Sequence, residues 1–474
     1  MLIRQLKLQN FRNYAELDFI PGPGINLLHG ENAQGKTNIL EAISMLATTR
    51  SLRAGRESEL ILRNCEMASV TAEIGREGEG DAEIQVSVFQ TDKKTVRVNG
   101  MKRTRILDLL GAFNAVFFGS IDLNIVTGEP ADRRHYLNVE ISQISPRYVY
   151  DLAHYKRILE QRNRLLKDLR ERPRPPSESG LEAWNEQLVR FGSPLIEKRK
   201  FFLERLAPLA DQIHRELTDG KEGLAVRYLP SIPLPQPEAP TVPTTVRELN
   251  SEDRYLASLK SETLSADQSE SAATPSSANQ TESALSVSDA IVQAFQRHLS
   301  AVAADEARRG MTLVGPQRDD IQFLIEGSEA RIYGSQGQQR TVALAIKLAE
   351  FQLIEDYVGE PPVMLLDDVM SDLDDSRRKH LLSWVRRRCQ IFITCTNLRS
   401  FPVDILREAT KFRVVLGTVS EDPKVIDKES EKEVEETHFE IQEAKISEMI
   451  NEESYSVSSG IEVGISEENG KRAL

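Results

Sequence analysis

The chain predicts an α/β fold: a mixed sheet with flanking helices, an antiparallel sheet beside it, and an inserted α-helical lobe. Three observations carry that expectation. A short apolar run, Gly24-Ile25-Asn26-Leu27-Leu28, enters a glycine loop and then an amphipathic stretch from Asn38 to Leu46, giving strand, loop and helix in succession. A second apolar run, Pro362 to Leu366, ends in the paired carboxylates Asp367 and Asp368. Much of the long segment between the two runs has helical periodicity, so the helices are an insertion within one sheet-based head.

The glycine loop fits the pattern G-x-x-x-x-G-K-[ST], with Gly30, Gly35, Lys36 and Thr37 in the fixed places and Glu31, Asn32, Ala33 and Gln34 between them. Glycines let successive backbone N–H groups curl round an anion, and the helix starting near Gly35 aims its positive dipole end at the same point. A phosphate chain is the natural guest. Lys36 is placed to meet β- and γ-phosphates, the Thr37 hydroxyl to ligate Mg2+, and Asn38 to continue the cradle.

Taken in order, Leu2, Leu6, Leu8 and Phe11, then Leu17 and Phe19, predict two antiparallel strands joined through Phe11-Arg12-Asn13-Tyr14. Strands at Glu83–Phe89 and Thr95–Val98 follow, ending at the hairpin signal Asn99-Gly100. From Ile121 the pattern turns helical: one helix opens around Asp132, others cover Tyr148–Leu169 and Leu181–Pro208, and a Pro-rich break spans Arg170 to Ser179. Residues 231 to 285 are poor in aromatics and rich in Pro, Ser, Thr and Glu, the composition of a disordered loop. Helix resumes from Ser288 to Arg309, and strands at Ile321–Ile325 and Ala330–Tyr333 return the chain to the head. The resulting division is 1–120 and 311–418 for the head, 121–310 for the helical domain, and 419–474 for an acidic disordered tail.

Composition is that of a globular protein, 40% apolar and 28% charged. Apolar runs are too short to span a bilayer, and Met1-Leu2-Ile3-Arg4 leads into a strand, so the expected location is cytoplasmic with no membrane contact. Cys65, Cys389 and Cys395 have no metal or redox spacing and fit a reducing compartment. The net charge of −13 argues against a nucleic-acid binder until it is located. From Glu421 onward there are 16 acidic and 6 basic residues, so the tail carries −10 of it.

In a P-loop protein the Pro362–Asp368 run is a second phosphate-site element, Asp367 serving Mg2+ and Asp368 the attacking water. Ahead of it, Ser335-Gln336-Gly337-Gln338-Gln339-Arg340 opens a helix. Ser335 is a good N-cap, and the amides behind it form a second anion site. One nucleotide held from one side has no need of that second site. It has a use when Ser335, Gly337 and Gln338 of one copy close over a γ-phosphate held by another.

These stretches together resemble the RecF family of ABC-type, SMC-related ATPases. Phe11-Arg12-Asn13-Tyr14, Gly128 to Arg134, Leu159 to Asn163, Gly315 to Asp320 and Leu366 to Asp374 agree as well, over residues 1 to 418 less the 231–285 loop. The resemblance implies an ABC-type head that binds ATP and Mg2+, dimerises on ATP, binds double-stranded DNA at gaps and hydrolyses ATP slowly, a weak DNA-stimulated ATPase. It also implies RecO and RecR as partners and RecA as the protein loaded. By the same resemblance Lys36, Asp367 and Asp368 are catalytic, Arg12 and Asn13 join the nucleotide site, and Ser371 to Asp374 cross the dimer interface. Gln317 stands where the family pattern has His, Gly119-Ser120-Ile121 where it has Pro-Glu, and Asn397 where it has an acid.

Candidate DNA-phosphate contacts are Arg50, Arg53 and Arg56, Lys102, Arg103 and Arg105, and Arg162, Arg164 and Lys167. Two alternatives have their own signals. Another ABC-type or SMC-like ATPase that does not act on DNA keeps the same motifs, and a small-molecule kinase keeps the P-loop but has no use for the Ser335 turn.

Overall fold

The computed structural model describes residues 1–234 and 286–422, apart from 77, 79, 104–110, 173, 176 and 177. In chain order the strands and helices are β1 (Leu2–Phe11), β2 (Tyr14–Phe19), β3 (Ile25–His29), α1 (Lys36–Thr48), β4 (Met67–Arg76), β5 (Gly80–Phe89), β6 (Thr95–Val98), β7 (Met101–Arg103), β8 (Ala115–Gly119), α2 (Leu123–Thr127), α3 (Pro130–Ile144), α4 (Pro146–Glu171), α5 (Leu181–Leu217) and β9 (Leu224–Leu229). After the segment outside the described residues come α6 (Val287–Arg309), β10 (Asp320–Ile325), β11 (Ser328–Glu329), α7 (Ala330–Tyr333), α8 (Gln336–Val358), β12 (Val363–Asp367), α9 (Val369–Asp372), α10 (Asp375–Val385), β13 (Ile391–Cys395), α11 (Val403–Glu408), β14 (Thr410–Val415) and β15 (Thr418–Glu421).

The central sheet runs β15-β14-β3-β13-β12-β8, parallel except for β15. Its strands are apolar without alternation because both faces are covered. Leu28, Phe117, Leu365 and Phe392 pack with α1 and the antiparallel sheet β2-β1-β4-β5-β6-β7. Leu27, Phe118, Leu366 and Ile393 pack with α8 and the helical lobe on the other side. The fold class is thus the expected one, and β3 and β12 sit one strand apart, which brings the ends of the two predicted motif strands together.

In the antiparallel sheet, β1 buries Ile3, Leu6, Leu8 and Phe11 against exposed neighbours, and the hairpin β6–β7 turns at Asn99-Gly100, both with positive φ. The lobe is joined to the head by buried polar contacts. Arg199 of α5 donates to Tyr148 Oη at 3.0 Å, Asn138 Oδ1 at 3.0 Å, the Pro316 carbonyl at 2.5 Å and Asp319 Oδ2 at 3.1 Å. Arg133 grips both oxygens of Asp320 at 2.6 and 3.0 Å. The Gly128–Arg134 and Gly315–Asp320 stretches therefore form a single joint.

Several expectations need correction. Ala330–Tyr333 is a helical turn, not a strand: Gly334 N–H and the Gln339 amide both donate to the Ala330 carbonyl, at 3.1 and 3.0 Å, closing the backbone locally. Helix α5 does not end at Pro208 but continues to Leu217. The proline is solvent-exposed, so the carbonyl its ring frees can be hydrated while Leu206, Ala210, Ile213 and Leu217 stay buried. Residues 231–234, assigned to a disordered loop, are packed: Ile232 is fully buried and Ser231 bonds Asp319 and Gly315. The rest of that loop lies outside the described residues. The tail reading begins too early, since β15 pairs with β14 through Glu421, and residues beyond 422 lie outside the described residues. Strands β4, β8, β9, β14 and β15 were not among those expected.

Candidate nucleotide site

The glycine loop leaves β3 at His29 and enters α1 at Lys36. Gly30 has φ +149, and a Cβ there would lie 2.4 Å from the Val414 carbonyl oxygen of the neighbouring strand, so only glycine fits. The loop is braced from outside. Asn13 Nδ2 donates to the Gln34 carbonyl at 3.0 Å, Asn38 Nδ2 to Asn13 Oδ1 at 2.7 Å, and Tyr14 Oη to the Gly35 carbonyl at 3.0 Å. From the β14–β15 turn, Leu416 N–H donates to Gln34 Oε1 at 2.7 Å and Gly417 N–H to the Gln34 carbonyl at 3.1 Å. Arg12 bonds the buried Glu41 of α1 at 2.9 and 2.7 Å, tying the β1–β2 turn to the loop's helix.

Lys36 is buried and donates to the Gly30 and Glu31 carbonyls, both at 2.7 Å. Burial pulls its ammonium below the usual lysine range, while the charges of Asp368 and Asp367 act the other way. Within reach of the same loop, Thr37 Oγ1 donates to Asp367 Oδ1 at 2.8 Å, joining α1 to the end of β12 across 330 residues of chain. Thr394 of β13 also donates to Asp367 Oδ1 at 2.8 Å and accepts Asp368 N–H at 2.9 Å. Asp368 is exposed, with φ +54. A hydroxyl and a carboxylate oxygen this close are the hard oxygen donors that suit Mg2+ beside a phosphate chain. Among the described residues no cluster of three His, Cys, Asp or Glu forms a metal cage, as is usual for a cation held mainly by the nucleotide.

The Ser335 turn opens a different helix, α8. Ser335 caps α8: its Oγ accepts Gln338 N–H at 3.2 Å, and Gln338 Oε1 accepts Ser335 N–H at 2.9 Å. Gln338 Nε2 reaches Glu222 Oε1 at 2.8 Å. Ser335, Gln336 and Gly337 are exposed, and nothing crowds Gly337. The Asp374 side chain caps α10 through Arg377 N–H at 2.9 Å.

Sequence reasoning missed Thr394, Glu41 and the Leu416–Gly417 brace, whose roles depend on strand neighbours far away in the chain. It also misplaced Arg162. That guanidinium is 1% exposed and pairs with Glu306 at 2.6 Å, Thr312 at 2.7 Å and Asn185 at 2.8 Å, so it is a core residue and not a DNA contact. Arg53 is engaged with Asn38 at 2.8 Å and Glu41 at 3.4 Å, Arg164 is paired with Glu160, and Arg105 lies outside the described residues. The three cysteines are free.

Strand order, P-loop, paired carboxylates and the capped signature turn together define an ABC-type P-loop ATPase head. The model of the RecF/RecN/SMC N-terminal domain matches residues 2–412. A DNA replication and repair protein RecF from Oceanobacillus iheyensis is 38% identical over 420 residues, covering 89% of this chain and 100% of its own. The protein of the same name from Geobacillus kaustophilus is 37% identical over 420 residues, covering 89% and 99%. Solved structures of the recombination mediator protein RecF in the RecFOR pathway, as RecF-ATP and RecF-ATPrS, superpose with TM-score 0.71 at 31% identity, covering 89% of this chain. The chain belongs to the RecF family.

Proposed function

We propose that the chain is an ATP-dependent, DNA-binding recombination mediator whose two copies close head to tail on ATP. Lys36 exchanges its contacts to the Gly30 and Glu31 carbonyls for phosphate oxygens, and the loop amides from Glu31 to Thr37 take the rest of the phosphate charge. Thr37 and Asp367 hold Mg2+, which when bound neutralises charge on the β- and γ-phosphates. Asp368 orients the attacking water, and Ser335, Gly337 and Gln338 of the second copy cover the γ-phosphate. Hydrolysis is slow and releases the dimer. The dimer acts on double-stranded DNA at gaps in the cytoplasm, helping to load RecA with RecO and RecR.

The observation that supports this reading most is the placement of exposed apolar side chains beside both half-sites. Tyr333 and Ile332, 75% and 65% exposed, lie two and three residues before Ser335, and Leu416, 80% exposed, sits on the turn that braces Gln34. A head-to-tail closure over ATP brings these two patches toward each other and covers both. Light scattering with and without ATP tests it. Wild type is expected to double in mass with ATP, whereas Lys36→Arg and Ser335→Arg stay monomeric. A Ser335→Arg protein that still dimerises on ATP would rule the arrangement out, and a mass unaffected by ATP in wild type is the behaviour of a kinase.

A further inference from the structure

We propose that a pocket of about 310 Å3 between α3, α4, α5 and the Gly315–Asp319 loop is a phosphate site that holds the backbone of bound DNA, with Arg134, Lys156 and the adjoining Arg50 as its cations and the His135 imidazole beside them as a neutral hydrogen-bonding group. The inference rests on the DNA-binding reading above and locates the contact. Leu152, Leu159, Leu195 and Tyr155 form its apolar floor, and Arg134, His135 and Lys156 stand among its lining residues.

Charge balance distinguishes this pocket. His135 and Lys156 make no hydrogen bond or ion pair among the described residues, and the Arg50 side chain is likewise without one. Arg134 has only the Asp319 carbonyl, at 3.0 Å. The nearby carboxylates are already spent: Asp319 on Arg199, Asp320 on Arg133, Glu140 on Lys347 and Gln143, and Asp132 on the N-terminal turn of α3. The basic groups also act on one another, opposed only in part by Glu140 and Asp132 at His135 and by Asp320 and Asp319 at Arg134. After burial, Arg50 and Lys156 are the main influences lowering His135, and Arg50 and Arg199 those lowering Lys156. A concave patch of one sign with no counter-charge of its own attracts an anion.

Another cavity, about 640 Å3, shows the contrast. It also holds arginines, but Arg4 pairs with Asp81, Arg76 with Glu360, Arg386 with Asp404 and Glu408, Arg387 with the same Glu408, and Arg388 with Glu355. Its charge is internally satisfied. The smaller pocket is also continuous with the head, because Arg50 follows the C-terminal end of α1, the helix that starts at the P-loop. A phosphate there bridges nucleotide head and helical lobe.

The test is duplex binding by the full chain with ATP across a salt series. Every DNA phosphate left without its cation lowers the slope of log affinity against log salt by about one, so Arg50→Gln/Lys156→Gln is expected to lose about two units of slope, with affinity roughly tenfold or more weaker at low salt. Lys156→Arg is expected to keep the slope. In wild type, where no variant can misfold, duplex DNA is expected to protect Lys156 from amine acylation. If wild type binds duplex with normal salt dependence while the double variant matches it and Lys156 is unprotected, the pocket assignment fails and the DNA reading stands. If wild type shows no salt-dependent binding, that reading fails first. Pyrophosphate calorimetry separates the sources of phosphate: uptake by wild type that is abolished in the double variant, with DNA binding unchanged, would make this a small-anion site and overturn the DNA assignment.

Discussion

Replacing Glu306 by Gln tests whether the Arg162 cluster is structural. In the native lobe Arg162 donates to Glu306 Oε2, Thr312 Oγ1 and Asn185 Oδ1, and Glu306 Oε1 accepts Leu313 N–H at 2.8 Å, all with Arg162 and Glu306 at or below 1% exposure. Glutamine keeps the shape and one acceptor but removes the counter-charge. The guanidinium is left buried without its anion. Breaking one side of a buried pair in this way costs about 3–5 kcal/mol, a large part of a domain's total stability. The cluster joins α4, α6 and the Thr312 segment, so the loss falls on the lobe and leaves the P-loop region folded. Hydrogen exchange read by mass spectrometry, together with urea unfolding, measures both the size and the place of the effect. Arg162→Met/Glu306→Leu, which removes both charges, is expected to recover much of the loss. A Glu306→Gln protein within about 0.5 kcal/mol of wild type, with exchange in α4 and α6 unchanged, would refute the reasoning.

Two further perturbations probe the head. Gly30→Ala forces a Cβ to within 2.4 Å of a backbone oxygen at a φ of +149, so the strand neighbour has to move; a loss of about 1–3 kcal/mol or more is expected, with ATP binding abolished, measured by thermal unfolding and nucleotide titration. Asp122, in the short helical turn that follows β8, is raised to about 6 chiefly by burial, partly opposed by Lys347 and the Gly119 N–H it accepts. The native state therefore holds a proton that the unfolded state releases near pH 4, and this group's contribution falls as pH rises from about 4 to 6. Asp122→Asn keeps the acceptor and removes the charge, so wild type is expected to lose up to about 3 kcal/mol relative to the variant across that window. Parallel stability curves at pH 4 and pH 7 would contradict the assignment.

What was legible in the chain was what is encoded locally. The P-loop declares itself within ten residues because glycine, lysine and threonine must be adjacent, and β12 announces Asp367 because a strand buried on both faces is an unbroken apolar run. The Ser335 cap is a four-residue motif, and its capping box is formed. What was not legible depends on distant partners. Arg162 looks like one cation among several on α4 until Glu306, 144 residues away, is seen to bury it. Strand β4 does alternate, with Ala68, Val70, Ala72 and Ile74 inward, but two alanines make its signal weak. Strand β9 carries little local evidence and exists because β10 pairs with it along its length.

The same dependence on distant partners says where nucleotide binding can be felt. Asp367 is touched by Thr37 from α1 and by Thr394 from β13, while β12 itself pairs with β8, with Asp367 opposite Gly119. Gly119 leads into Asp122, whose charge acts on Lys347 in the middle of α8, and Lys347 holds Glu350 at 2.7 Å and Glu140 of α3 at 3.4 Å. Helix α8 begins at Ser335. Packed strands and one buried charge cluster therefore connect Asp367 to the helix that begins at Ser335. Buried carboxylates crowding a single lysine tolerate only a few arrangements, so the cluster resists gradual deformation. Under the proposed head-to-tail arrangement, that connection is the physical route by which the Asp367 end and the Ser335 turn of one chain would be coupled.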